Sequence, residues 1–252
     1  MLKYLPLLWA NLHRRPLRMG LTVASIIVAF LLFGLMQTLR SALGGNAGLA
    51  GVDRLVTMSK ISLIVPLPEA YLARVRGTEG VLVAVSMNWF GGIYQEDKNQ
   101  IGAMAVDAPT MFEVYSEYKL PPQQKAAWLA DRASAVVGDV LAQRFGWKVG
   151  DTIPLRSNIF THKDGSSVWP MKIAGIYHAD NGDNQGLYFH YKYLSESAPG
   201  ARNQIGMIAF RVRDPSRSAD VARTIDAMFA NSSAETSTPM TRRARLRSTR
   251  AA

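Results

Sequence analysis

Met19–Met36 reads MGLTVASIIVAFLLFGLM, eighteen residues without a charge, set between Arg18 on one side and Gln37 and Arg40 on the other. As a helix rising about 1.5 Å per residue it measures about 27 Å, close to the roughly 30 Å hydrocarbon core of a bilayer. A core helix of a soluble domain normally keeps one polar face, and here only Thr22, Ser25 and Gly34 interrupt the apolar surface. The stretch is read as a membrane span, with Met19, Ile26, Phe30 and Met36 marking its length, and the rest of the chain is placed outward from it.

Charge gives the span a direction. The 252 residues carry a formal charge of +10, but Lys3, Arg14, Arg15 and Arg18 precede the span, and Arg242, Arg243, Arg245, Arg247 and Arg250 crowd the C-terminus. Without these nine, the remaining basic residues nearly match the 19 acidic ones. The excess is positional, so it bears on membrane orientation and on a basic tail, and no specific nucleic-acid partner is expected. By the positive-inside rule the N-terminus stays cytoplasmic and everything after about Leu39 is exported. Gly48-Leu49-Ala50 offers a signal-peptide cleavage site, but it lies well past an apolar core that is longer than the usual 7 to 15 residues, which favours an uncleaved anchor. Leu2, Leu5, Trp9 and Leu12 recur at helical spacing, so residues 1–18 read as an amphipathic leader lying on the membrane, Trp9 at headgroup level and the arginines on lipid phosphates; a flexible leader is the alternative. Cysteine is absent, which excludes disulfides and thiolate chemistry.

Residues 19–39 are assigned to the span, 40–53 to a glycine- and alanine-rich linker, 54–232 to an extracytoplasmic domain and 233–252 to a disordered basic tail. The fold class expected is α+β: one N-terminal transmembrane helix, then a mixed α/β domain. Strands are predicted at Leu55–Met58, Val81–Tyr94, Gln100–Val106, Ala135–Val137, Thr152–Leu155, Val168–Tyr177, Leu187–Tyr193 and Ile205–Val212. Helices are predicted from Pro68 to Gly77, at Pro109–Tyr115 and Pro122–Ala130, from Asp139 to Gly146 with Val140, Leu141 and Phe145 inward, and at Ser216–Phe229. Serine and threonine dominate from Asn231 to Pro239, and MTRRARLRSTRAA from Met240 cannot pack a core.

Motifs for catalysis are missing. The sequence contains no G-x-x-x-x-G-K-[ST], G-x-S-x-G or H-E-x-x-H, so no nucleotide-binding loop, serine nucleophile or zinc-protease signature is present, and neither an enzymatic activity nor a cofactor is expected. His178, Asp180 and His190 could form two walls of a metal or acid–base site if their strands pair, although surface and strand-end polar groups are the plainer reading; Asp107 and Glu113 stand likewise. Tyr188, Tyr191 and Tyr193, with Phe189, could present a ligand or partner face, against ordinary strand packing.

The order of these pieces resembles a known family. Val81–Val106 (VLVAVSMNWFGGIYQEDKNQIGAMAV), Val136–Leu155 (VVGDVLAQRFGWKVGDTIPL) and Met171–Ile176 (MKIAGI), following a basic leader, a span and a glycine-rich exit, are similar to the periplasmic core domain of MacB-like ABC transporter permeases, the wider group that includes FtsX and the lipoprotein-releasing permeases. The resemblance implies a permease that works as a homodimer or heterodimer on a separate ATP-binding subunit. ATP-driven motion would then reach the external domain, which exports or releases a substrate, with a periplasmic adaptor or lipoprotein as a further partner. The family also implies three later spans, and no second apolar run follows residue 36. The change of character after Thr238 is read as a truncated or shifted reading frame, which translation of the downstream DNA in all frames would test. The alternatives are a single-span anchored binding or adaptor module and, less favoured, an anchored hydrolase.

Overall fold

The computed structural model describes residues 16–44, 53–62, 64–180 and 182–239, with the side chains of 39–44 left aside. The chain divides into two compact units, residues 1–47 and 48–252.

The first unit holds helix α1 (Pro16–Gly44). Its 29 residues cover about 43 Å, and the most apolar 18-residue window within Pro16–Thr38 has a mean hydropathy of 2.4 with none of it buried. Ile26, Phe30 and Met36 are exposed, and Met19 partly so. Thr22 Oγ1 donates to the Arg18 carbonyl and Thr38 Oγ1 to that of Gly34, each at 2.9 Å, so these hydroxyls are satisfied within the helix as apolar surroundings require. The helix runs to Gly44, so residues 40–44, expected in the linker, are helical: nothing from Arg40 to Gly44 breaks the i to i−4 ladder. Pro16–Arg18, assigned to the leader, form the start of this helix, while Lys3, Trp9, Arg14, Arg15 and the rest of the leader, and residues 45–52, lie outside the described residues.

The second unit is α+β. In order it contains β1 (Arg54–Ser59), β2 (Leu67–Pro68), α2 (Ala70–Arg76), β3 (Val81–Trp89), β4 (Gly92–Tyr94), β5 (Gln100–Val106), α3 (Ala108–Val114), β6 (Tyr118–Lys119), α4 (Pro122–Ala130), β7 (Ser134–Gly138), α5 (Asp139–Phe145), β8 (Thr152–Ser157), β9 (Val168–Ala179), β10 (Gly186–His190), α6 (Tyr191–Ser197), β11 (Gln204–Ile205), β12 (Met207–Val212), α7 (Ser218–Met228) and β13 (Thr236–Ser237). The main sheet runs β10-β7-β9-β8-β4-β5-β3-β12-β1-β13, and β10 also pairs in parallel with β5. That pairing joins six strands, β5, β4, β8, β9, β7 and β10, into a closed ring with no free edge of its own. Alternate side chains fill its inside: Ile101, Ala103, Ala135, Val137, Trp169, Met171, Ile173, Leu187 and Phe189 form one core. Strands β3, β12, β1 and β13 continue the sheet as a layer covered on one side by α2 and α7, through Leu72, Val75, Phe210, Val221 and Ile225, while β2 and β11 pair in a separate two-stranded sheet and β6 pairs with β9. Residues of α3 and α4, Met111, Val114 and Trp128, join a third core with Met87, Val136 and Tyr188.

Several expectations are corrected. Val81–Tyr94 is interrupted at Phe90–Gly91 to give β3 and β4, which lets β5 pair with both. Val140 is 47% exposed and points away from the core, because in a seven-residue helix only one stripe, Leu141 and Ala142, meets the sheet. The strand predicted at Leu187–Tyr193 ends at His190, and Tyr191 and Tyr193 begin α6. Residues 233–239, assigned to the tail, belong to the domain: β13 pairs with β1, and Asp226 accepts hydrogen bonds from Thr236 Oγ1, Thr238 Oγ1 and the Thr238 amide at 2.8 to 3.0 Å. Hydroxyls that look like tail composition serve there as partners for one carboxylate. Residues 240–252 lie outside the described part.

Candidate functional site

Strand β6 is only two residues long, and it makes the site. Tyr118 and Lys119 pair with Ala179 and His178 on β9, which brings the chain after α3 alongside the end of that strand. Leu120 and Pro121 then turn into α4, where Gln124 Oε1 accepts the Ile176 amide at 2.9 Å. Gly175 permits this approach, since a Cβ there would stand 2.8 Å from Leu120 Cδ1 and 3.0 Å from Gln124 Cβ. Between β6, β9, α3, α4 and the start of α5 lies a groove of about 630 Å³, lined by Phe112, Tyr118, Lys119, Leu120, Pro121, Lys125, Asp139, Ile176, Tyr177 and His178. Its volume falls within the range of small-molecule sites.

The floor is aromatic and rigid. Tyr118 and Tyr177 stack with centroids 4.8 Å apart and planes 9° from parallel. The Tyr118 hydroxyl donates to the Asp183 carboxylate in a short hydrogen bond and lies 3.2 Å from that of Tyr188, while Tyr177 Oη donates to the carbonyls of Asp183 and Gly186, each at 3.3 Å. Burial pushes the pKa of all three phenols up and the Asp183 charge adds to it; Tyr188 raises Tyr118 and Tyr177 further, while its hydrogen bonds with those two pull its own pKa partly back, and all three remain protonated at any ordinary pH. Behind them Tyr115 lies 4.1 Å below the Arg54 guanidinium, which pairs with Glu117 at 2.7 Å and donates to the Val114 carbonyl at 3.1 Å. Burial by itself would lower the pKa of Arg54, but the Glu117 hydrogen bond and the surrounding charges carry it upward.

The rim is mainly cationic. Lys119 Nζ donates to the Ser116 carbonyl at 3.1 Å, and Lys125 Nζ stands 5.7 Å from the centre of the Phe112 ring. Among the described residues neither lysine forms an ion pair. His178 Nδ1 meets Asp139 Oδ2 at 2.7 Å, while Asp139 Oδ1 is buried with no hydrogen-bonding partner.

Residues singled out in the sequence are distributed differently. His178 is an exposed partner of Asp139, whereas His190 is buried and sits with Nε2 2.8 Å from the Trp128 carbonyl; burial lowers its pKa despite that bond. The two histidines therefore do not share a site, and among the described residues no group of three or more His, Asp or Glu is placed to hold a metal ion. Asp107 is engaged by Arg76 at 2.5 Å and by Thr110, and the Glu113 carbonyl accepts from Arg211. Tyr188 and Tyr191 are 5% and 6% exposed, so neither offers a face; Tyr191 donates to Glu69 and Tyr193 to the Pro170 carbonyl. Lys119, Lys125, Phe112 and Asp139 carry no sequence signal of a site, because the pairing of a two-residue strand joins positions far apart in the chain.

The model of the MacB-like periplasmic core domain matches residues 19–228. Two solved structures are similar in fold. The periplasmic region of MacB from Actinobacillus actinomycetemcomitans superposes with a TM-score of 0.58 at 12% identity, covering 82% of this chain and 96% of that one. The extracellular domain of the noncanonic ABC-type transporter YknZ from Gram-positive bacteria superposes with a TM-score of 0.53 at 11% identity, covering 75% of this chain and all of that one. No relative with a curated description matches the sequence.

Proposed function

Because this chain belongs to the family of the MacB-like periplasmic core domain, carried by ABC transporter permeases and not by enzymes, we propose that it acts as a permease subunit whose external domain is moved by a separate ATP-binding subunit to export or release a substrate. The observation that carries this reading is the extent of the match, from within α1 to the last residue of α7, so that the apolar helix and the α+β domain are matched as one unit. In this reading α1 is a force-transmitting span in the inner membrane with Arg18 on the cytoplasmic side, and residues 54–238 face outward. The working unit is a dimer of permeases, which an external adaptor or lipoprotein joins.

Affinity purification of the tagged chain from its native membranes, under conditions that keep membrane partners attached, tests this. The expected result is recovery of an ATPase subunit bearing a G-x-x-x-x-G-K-[ST] loop, with ATP hydrolysis that depends on the chain. Recovery of the chain with no ATPase overturns the reading.

A further inference from the structure

We propose that the groove beside β9 binds an anionic amphiphile, a carboxylate or phosphate joined to an aromatic or branched apolar body, with Lys119 and Lys125 taking the anion and Phe112, Leu120, Pro121 and Ile176 taking the body. The inference rests on the permease reading only in calling such a molecule cargo; binding itself requires the groove alone.

Charge argues for the anion. Two lysines stand against one carboxylate, Asp139, and that carboxylate is already engaged by His178, so the rim is net cationic in either protonation state of the histidine. The lysines are the groove's uncommitted donors. Lys119 has a backbone carbonyl for a partner and Lys125 an aromatic face, and each ammonium has three donors, so a ligand anion can be met without breaking an ion pair. Phosphate and carboxylate both suit such point charges.

Shape and rigidity argue for the apolar body. Leu120, Pro121 and Ile176 line the groove with Phe112, and the buried, stacked Tyr118–Tyr177 pair backs them with its hydroxyls spent on Asp183, Tyr188 and backbone carbonyls. An occupant therefore meets the side-chain carbon of Phe112, Leu120, Pro121 and Ile176, over a tyrosine base that is itself buried. Ordering cost is small because Tyr118 and Tyr177 are buried and already locked.

Calorimetric titration of the full chain in phosphatidylcholine nanodiscs, with empty nanodiscs as the blank, tests the pattern. The probes are 2-naphthoate and 1-naphthyl phosphate as anions, 2-naphthamide as the neutral analogue and 1-naphthylmethylammonium as the cation. Binding of one or both anions above the neutral and cationic probes is expected, and the stronger of the two identifies carboxylate or phosphate as the preferred head. The double variant K119Q/K125Q should weaken anion binding by about tenfold, as two partly exposed charge contacts require, and leave the naphthamide signal where it was. K119E/K125E should turn the preference toward the ammonium probe, while K98Q, in the β4–β5 turn, should change nothing. The proposal is overturned if no probe binds, if naphthamide matches the anions, or if K119Q/K125Q keeps wild-type affinity. A chain that binds the anions but recovers no ATPase sinks the permease reading and leaves the groove intact; one that recovers the ATPase but ignores the anions does the reverse.

Discussion

Replacing Gly138 by alanine adds one methyl group at a backbone that any residue adopts, φ −69° and ψ 147°, so conformation alone predicts almost no effect. Space predicts a large one. The new Cβ would stand 2.1 Å from the Asn184 carbonyl oxygen and 2.3 Å from its carbon, both backbone atoms that cannot swing aside. Asn184 is itself tied down: its carbonyl accepts the Leu141 amide at 3.2 Å, its Oδ1 accepts the Ala179 amide at 2.5 Å, and its Nδ2 donates to the Ala179 carbonyl at 3.1 Å. Relieving the clash moves the loop that also carries Asp183, the acceptor for Tyr118. Overpacking costs about 1 to 3 kcal/mol and each loosened hydrogen bond about 1 kcal/mol, so Gly138→Ala should cost about 3 to 5 kcal/mol. Gly146→Ala is the matched comparison. It places a methyl group at φ +68° with nothing within 4 Å, so only the left-handed conformation is penalised, about 1 kcal/mol. Urea unfolding of the full chain in nanodiscs, followed by tryptophan fluorescence, reads both, since Trp128, Trp147 and Trp169 are buried. Equal destabilisation of the two variants would refute the steric argument.

Other perturbations act on single groups. His190 is buried with a lowered pKa, so the unfolded chain takes up a proton first and stability should fall as pH drops below about 6.5; His190→Gln should flatten that slope in melts between about pH 7.5 and 5, and an unchanged slope would assign it elsewhere. Arg54→Met removes a buried cation from Glu117, Tyr115 and the Val114 carbonyl, with an expected loss of about 3 kcal/mol by the same urea assay; a loss under about 1 kcal/mol would show the pair to be replaceable. Asp226→Ala takes away the acceptor of three hydrogen bonds from Thr236 and Thr238, so amide exchange at residues 236–238 should rise to the level of an unprotected strand end, and continued protection would mean that β1 alone holds β13.

The apolar helix, the α+β class and most strands were legible because periodicity and the absence of charge are local signals, as at Ile26 to Leu35 or in Thr152–Leu155. What is settled by distant pairing was not legible. Tyr191 has the same neighbours in sequence whether the strand runs on or stops at His190, and the stop comes from β10 reaching its last partner, Val106 of β5. The closed ring depends on that same pairing. Thr236 and Thr238 looked like tail because serine and threonine favour loops, and their value as donors appears only once Asp226 is beside them. The groove is the extreme case: Lys119 faces His178 through a ladder of two residues, and no pattern in either segment announces it.

The described domain begins at a point tied to the groove. Asp53 accepts an ion pair from Arg211 at 2.6 Å, and the same guanidinium donates to the Glu113 carbonyl. Arg54, next in the chain, holds Val114, Tyr115 and Glu117. Residues 113–117 thus grip the chain where the domain starts, and Tyr118 and Lys119 follow them directly into the wall of the groove. A displacement applied to residue 53 acts on β12 through the Arg211 ion pair and through the Val212 amide, which donates to the Asp53 carbonyl at 2.9 Å, and it reaches residues 113–117 by way of Arg211 and Arg54. Because packed interiors pass small shifts on and do not absorb them, a shift of Arg54 should reach Tyr118 and Lys119 through residues 114–117. Anion affinity measured with Arg54→Met, in a variant still folded by fluorescence, should therefore change although Arg54 does not line the groove; unchanged affinity would separate the two ends of the segment.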